Sequence, residues 1–268
     1  MVAQDVTHAD YCGFAEAAGV SRNTLRLDVT AAASFHDATG VQLHEATPAD
    51  VDAWWVALGR RGLTPATRTY YLRAVRRFYR YRQRRTGETD PTGHVDALKI
   101  PVRVPRPVPL PVAVRAIGAG PADTGVMVGA ALYAGLRVHE IAKLQPADIR
   151  EDGHGLYLYV IGKGSRERRV PLVPELDQLL AGYSWPDLSP NGVTMRVRHA
   201  LRKADPGSRW TAHQLRHTFA TRMLEAGADV FTLQRLLGHA SVQTTQVYAD
   251  VSLERLTDSV LRAFPGAA

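Results

Sequence analysis

Five prolines within the eleven residues PVRVPRPVPLP, positions 101–111, decide how this chain can be organised. Proline has no N–H to donate and holds φ fixed, so the stretch is expected to be extended and stiff. Residues 1–100 and 112–268 therefore read as two domains joined by a linker at 101–111. A chain of 268 residues is long enough for two separate cores.

Composition excludes several classes. With 45% apolar and 22% charged residues, the chain reads as a soluble globular protein. A single cysteine, Cys12, rules out an intrachain disulfide framework and any cysteine-rich zinc site. The longest apolar run, Val126 to Leu136, stops at Arg137 and is too short to span a bilayer. Residues 1–10 have no basic segment followed by an apolar one, so the expected compartment is the cytoplasm. The net charge of +7 points to a polyanionic partner.

Residues 1–100 have a helical pattern. Thr47-Pro48-Ala49-Asp50 offers an N-cap, a proline at the first helical position and a capping-box acid, followed by Trp54, Trp55 and Leu58 as the apolar face. Thr64-Pro65 opens a second helix. Its Leu72, Val75 and Tyr79 recur at core spacing, while Arg73, Arg76, Arg77, Arg80 and Arg84 fall on another face. Ten arginines and no acid occur between Arg60 and Arg85. A merely solvated face would normally carry mixed charges, and like charges at i,i+4 repel. A phosphate backbone would relieve that repulsion, so Arg68, Arg73, Arg76, Arg77, Arg80 and Arg84 are the expected DNA contacts.

Beyond the prolines one β-like interruption breaks a helical pattern. LYLYVI (156–161) and RRVPLV (168–173) flank the turn GKGSRE, which reads as a hairpin displaying Lys163 at its tip. Helices are expected around 191–202, 212–226 and 230–237. In HQLRH, His213 and Arg216 share one side of a helix, with Leu215, Phe219 and Met223 free to pack on the other. Gly238 is a plausible helix terminator that presents His239 in a turn, and Tyr248 follows nine residues later. Arg137 closes the apolar run, with Glu140 one turn further on.

These residues suit one reaction. Two arginine forks can hold the non-bridging oxygens of a phosphodiester, and preorganised donors stabilise the charge that shifts onto those oxygens during attack. A tyrosine, with an ordinary pKa of about 10, becomes a nucleophile at neutral pH only where cations favour the phenolate. The leaving deoxyribose oxygen needs a proton, which a lysine on a hairpin tip could supply. The bland readings are weaker. His213 and His217 have zinc-helix spacing, but Gln214 stands where a metalloprotease has glutamate and Arg216 would repel a cation. His217 is therefore expected to be structural and no metal is expected. IGKGS lacks the glycine and the Ser/Thr placement of a phosphate-binding loop.

In this combination and order the chain resembles the tyrosine recombinases, a family that includes the phage integrases. The likeness is carried by GLRVHE (135–140), GKGSRERRVPL (162–172), HQLRHTFA (213–220), LLGH (236–239) and Tyr248, and it spans nearly the whole chain. It implies a mostly α fold, with a helical core-binding domain followed by an α+β catalytic domain holding a small antiparallel sheet. It implies that Arg137 and Arg216 clamp the scissile phosphate, that His213 and His239 donate hydrogen bonds and assist proton transfer, that Lys163 is the general acid and Tyr248 the nucleophile, and that Glu140 steadies the site. No cofactor is implied, neither metal nor ATP.

The implied partners are duplex DNA with core-type sites and three further copies of the chain on paired sites, with a monomer when free; an accessory DNA-bending or directionality factor is compatible with the family. Fewer than 50 residues precede Thr47, so contact with core-type sites alone is expected. Leu253, Leu256, Val260 and Phe264 form an apolar stripe after the nucleophile, expected to dock on a neighbouring protomer in the DNA complex and to pack locally or be disordered in the free protein. Two rivals stand beside this reading: a relaxing topoisomerase of the same chemistry, and a DNA-binding regulator that keeps the fold without the reaction.

Overall fold

The structure, a computed structural model, describes residues 6–100, 106–162, 167–238, 261, 263 and 264. Contacts divide the chain into two compact units, Met1–Arg103 and Val104–Ala268, each with its own apolar core.

The first unit holds four α-helices among the described residues: α1 (His8–Ala17), α2 (Arg22–Thr39), α3 (Pro48–Arg60) and α4 (Pro65–Thr86). Local signals set their limits. Thr7 with Asp10 and Thr47 with Asp50 form capping boxes, and Ser21 and Thr64 cap the other two helices. Helices α2 and α4 end at Gly40 and Gly87, both left-handed. Phe35, Val51, Trp54, Leu58, Leu72 and Phe78 are fully buried, and the rings of Phe35 and Trp54 lie 5.5 Å apart. Burying each such side chain contributes about 1.5–3 kcal/mol before entropy is charged against it. Trp55 departs from the expected apolar face, because one step along a helix turns about 100° away from Trp54. It is only half-buried, with the Arg68 guanidinium 4.4 Å from its ring centroid.

The second unit is built around α6 (Ala122–Tyr133), buried at every residue from Thr124 to Tyr133. A helix apolar on all sides must sit in the middle of its fold. It packs against α5 (Leu110–Ile117), α8 (Pro174–Ala181), α9 (Pro190–Ala204) and α10 (Ala212–Glu225). After it come the single turn α7 (Val138–Ile141) and a three-stranded antiparallel sheet, β1 (Ile149–Asp152), β2 (Gly155–Ile161) and β3 (Glu167–Pro171), in the order β1-β2-β3. Leu158 pairs with Val170 and Tyr159 with Arg169, so β2 and β3 form the expected hairpin. Strand β1 is additional. Helix α11 (Val230–Leu237) follows and stops at Gly238, whose φ is 61°.

The proline-rich stretch is shorter as a connector than its sequence suggests. Val108 is buried, and its carbonyl accepts from the Thr218 hydroxyl at 2.8 Å. Pro109 caps α5, with Leu110 and Pro111 in the first turn, where a proline's missing N–H costs nothing. Residues 108–111 thus belong to the second unit, while 101–105 lie outside the described residues.

Candidate active site

Helix α10 buries Leu215, Phe219 and Met223 completely. That anchoring fixes Arg216, also buried, whose guanidinium donates to Gly135 O at 2.5 Å and Leu237 O at 2.5 Å. Gly135, just after α6, has φ 60°, and a Cβ there would lie 2.7 Å from the Phe219 ring. Only glycine meets both demands.

Arg137, two residues on, caps α7. Glu140 accepts from the Arg137 backbone N–H at 2.8 Å and from its Nη1 at 3.0 Å, while Arg137 Nη2 donates to Gly238 O at 3.3 Å. Arg168 arrives from β3 and takes both Glu140 oxygens, Nη1 to Oε1 at 2.9 Å and Nη2 to Oε2 at 2.7 Å. Its Nε donates to Leu236 O at 2.8 Å. Arg216 Nη1 stands 4.0 Å from Glu140 Oε2.

Three guanidinium groups thus surround one carboxylate, leaving an excess of two positive charges. Burial alone would raise the Glu140 pKa, but hydrogen bonds and charge from Arg168, then Arg137, hold it at about 2. Burial first, then the Arg137 and Arg168 charges, push Arg216 down to about 9, still protonated at neutral pH. A buried excess of cations seeks an anion, and Arg137, with 27% of its side chain exposed, is the member open to solvent. His213 projects from the exposed side of α10. Burial, Arg216 and Arg137 lower its pKa, so its ring is neutral at pH 7 and able to accept a proton. His217 is half-buried with its ring edge-on to His213, centroids 4.5 Å apart.

Arg137, Glu140, His213 and Arg216 therefore come together within the second unit. Lys163, His239 and Tyr248 lie outside the described residues. Arg168 was missed by the sequence reading although a signal was present. It shares the inward face of β3 with Val170, and an arginine on the inward side of a strand needs a carboxylate.

Comparison with known proteins decides the family. The Phage integrase family pattern matches residues 186–255. Tyrosine recombinase XerD of Caulobacter vibrioides is 31% identical, over 91% of this chain and 91% of its own. The chain belongs to the tyrosine recombinase family. Two solved structures share the fold of this recombinase. The integrase from mycobacterium phage Brujita is 26% identical with a TM-score of 0.53, covering 96% of this chain and 92% of that one. A lambda integrase dimer bound to a COC' core site is 18% identical with a TM-score of 0.71, covering 91% and 97%. The protein is thus a site-specific recombinase of the tyrosine type, and these relatives favour neither the topoisomerase nor the regulator.

The recombinase treats its expected DNA-contacting arginines unequally. Arg77 pairs with the buried Asp28, which also accepts from the Tyr11 hydroxyl at 2.7 Å. Arg76 donates to Thr92 Oγ1 at 3.0 Å, Thr92 O at 2.8 Å and the Val95 carbonyl. Arg68 donates to Trp55 O at 3.2 Å while covering the Trp55 ring. Only Arg73, Arg80 and Arg84 of the six are exposed. The segment between Arg60 and Arg85 holds no acid of its own, but its charge is partly offset from outside: Asp28 lies across from it and Glu88 pairs with Arg82 at 2.8 Å. A second basic face was missed: α9 buries Val193, Val197, Ala200 and Leu201 and exposes Arg196, Arg198, Arg202 and Lys203. Among the described residues no helix is long and apolar enough to cross a membrane.

Proposed function

We propose that this recombinase cuts and rejoins duplex DNA at core-type sites through a covalent phosphotyrosine on Tyr248. The observation that carries the reading is the buried cluster in which Glu140 neutralises one of the three charges of Arg137, Arg168 and Arg216. A scissile phosphate supplies the missing negative charge, held by Arg137 and Arg216. The Tyr248 hydroxyl gives its proton to a neighbouring histidine as its oxygen attacks phosphorus, and the deoxyribose oxygen leaves, taking a proton from Lys163. His213 and His239 assist by hydrogen bonding and proton transfer. Rejoining is the reverse step, with a deoxyribose hydroxyl attacking the phosphotyrosine, so the bond energy is conserved and neither metal nor ATP is needed.

The first unit serves as the core-binding domain through Arg73, Arg80 and Arg84, and α9 adds phosphate contacts from the catalytic unit. The assembly is a tetramer on two paired sites, formed from monomers, acting on DNA in the cytoplasm. An accessory bending or directionality factor is compatible with it.

The test is a nicked suicide substrate that loses its hydroxyl after cleavage and so traps the adduct. The parent chain should shift to a DNA-linked band on a denaturing gel. Tyr248→Phe should bind the same duplex with unchanged affinity and give no such band. An adduct formed by the variant would end the assignment.

A further inference from the structure

The end of α11 is held in an unusual way. A helix leaves its last carbonyls without intrahelical partners, and its C-terminus carries partial negative charge. Here three successive carbonyls each receive a guanidinium: Leu236 from Arg168, Leu237 from Arg216 and Gly238 from Arg137. The same three arginines gather round Glu140. Two of them are assigned above to the phosphate. Arg168 is not, and each of its three guanidinium nitrogens already donates to a protein acceptor, Nε to Leu236 O and the two Nη atoms to Glu140.

We propose that Arg168 is a positioning residue for DNA cleavage, keeping Glu140 from claiming the arginines that must hold the phosphate. The inference rests on the reading of Arg137 as a phosphate ligand. The geometry shows the competition. Glu140 is a second anion beside the same donors, with Arg137 Nη1 at 3.0 Å from Oε1 and Arg216 Nη1 at 4.0 Å from Oε2. Arg168 occupies both oxygens in a fork, which fixes the plane of the carboxylate. Without that fork the carboxylate would turn toward Arg137 and Arg216 and replace the phosphate on them. The Arg168 side chain also forms the surface on which Gly238 rests. A Cβ at position 238 would come 3.2 Å from Arg168 Cδ, so Arg168 lies against the residue whose carbonyl accepts from Arg137. Lysine cannot substitute, because one ammonium cannot bridge two carboxylate oxygens and a helix carbonyl in a fixed plane.

The experiment compares the full-length parent, Arg168→Lys, Arg168→Gln and Arg137→Ala in single-turnover cleavage of a nicked core site. The scissile group is either a phosphodiester or a methylphosphonate, tried as both stereoisomers. On the phosphodiester both Arg168 variants should cleave slower by about tenfold to a hundredfold, with DNA binding within about threefold of the parent. The methylphosphonate is uncharged and has one non-bridging oxygen fewer, so it asks less of Arg137. On it Arg137→Ala and both Arg168 variants should approach the parent rate. Equal slowing of the Arg168 variants on both substrates, rescue of Arg137→Ala alone, parent-like cleavage of the phosphodiester, or loss of fold in both Arg168 variants would each overturn the positioning role. If Arg137→Ala itself is not rescued, its assignment to the phosphate fails, and the role of Arg168 falls with it.

Discussion

Glu140 sits with 1% of its side chain exposed among three arginines and stays ionised because they hold it so. Its folded pKa of about 2, against an ordinary 4.5, makes it a pH-dependent brace. A depressed carboxylate pKa means that the unfolded chain binds the proton more readily. The contribution is therefore fully present above pH 4.5 and is lost as pH falls toward 2. A shift of that size corresponds to an order of 3 kcal/mol by linkage. Glu140→Gln removes the ionisation while keeping shape. The difference in melting temperature between parent and variant should be constant above about pH 5 and shrink steadily below it. A difference that stays flat down to pH 3 would show that ionised Glu140 does not brace the fold. Arg216 meets the opposite stress, its pKa lowered by burial and like-charged neighbours, which is why an incoming phosphate should bind there with a gain.

At the scale of elements, α4 separates arginines that hold the fold from the exposed arginines proposed to meet DNA. Arg80 is exposed, whereas Arg77 is the partner of the wholly buried Asp28. Arg80→Ala should leave the melting temperature unchanged and lower the slope of log affinity against log salt by about 0.9, one phosphate contact. Arg77→Ala should instead strip Asp28 of its cation and destabilise the first unit by about 3 kcal/mol, since a buried charge left alone is costly. Salt titrations and thermal melts of both variants decide the matter; a normal melt for Arg77→Ala with a reduced slope would reverse the division. The same helix marks what a sequence can convey. Thr47, Thr64, Gly238 and the spacing of Leu72, Val75 and Tyr79 act within a turn or two, so α3, α4 and the end of α11 were legible. Asp28 lies 49 residues from Arg77, and nothing local links them. Glu140 and Arg168 are 28 apart, so the reading that found Arg137, His213 and Arg216 passed over Arg168. Strand β1, IRED, was hidden by its polarity, although the turn that follows it, Gly153-His154, is a fair hairpin signal.

At the scale of the whole chain, the C-terminal stripe is expected to pack locally in the free protein and on a neighbouring protomer in the DNA complex. Phe264 is 5% exposed, edge-on to Tyr133 at 5.0 Å and stacked over Phe219 at 6.0 Å, while Arg222 donates to the neighbouring Ala263 carbonyl at 3.0 Å. In a single chain this end of the stripe therefore packs on its own unit, beside the helix that carries His213 and Arg216. Leu253, Leu256 and Val260 lie outside the described residues. Phe219 also touches the position of Gly135, the residue whose carbonyl holds Arg216, so Phe264 leans on the same packing that places Arg216. Deleting residues 252–268 should lower the melting temperature of the free protein through the lost Phe264 contacts, by about 2–4 kcal/mol of stability. Binding to one core site, which depends on phosphate contacts elsewhere, should persist. Pairing of two sites should fail, because the expected exchange of the stripe onto a neighbouring protomer needs the deleted residues. A second variant, Phe264→Ala alone, keeps the rest of the stripe. It should reproduce most of the loss in melting temperature and leave pairing largely intact. Gel shifts that resolve single-site from paired-site complexes, run beside thermal melts, separate the two effects. If the truncated chain assembles and recombines like the parent, the tail is local packing and nothing more.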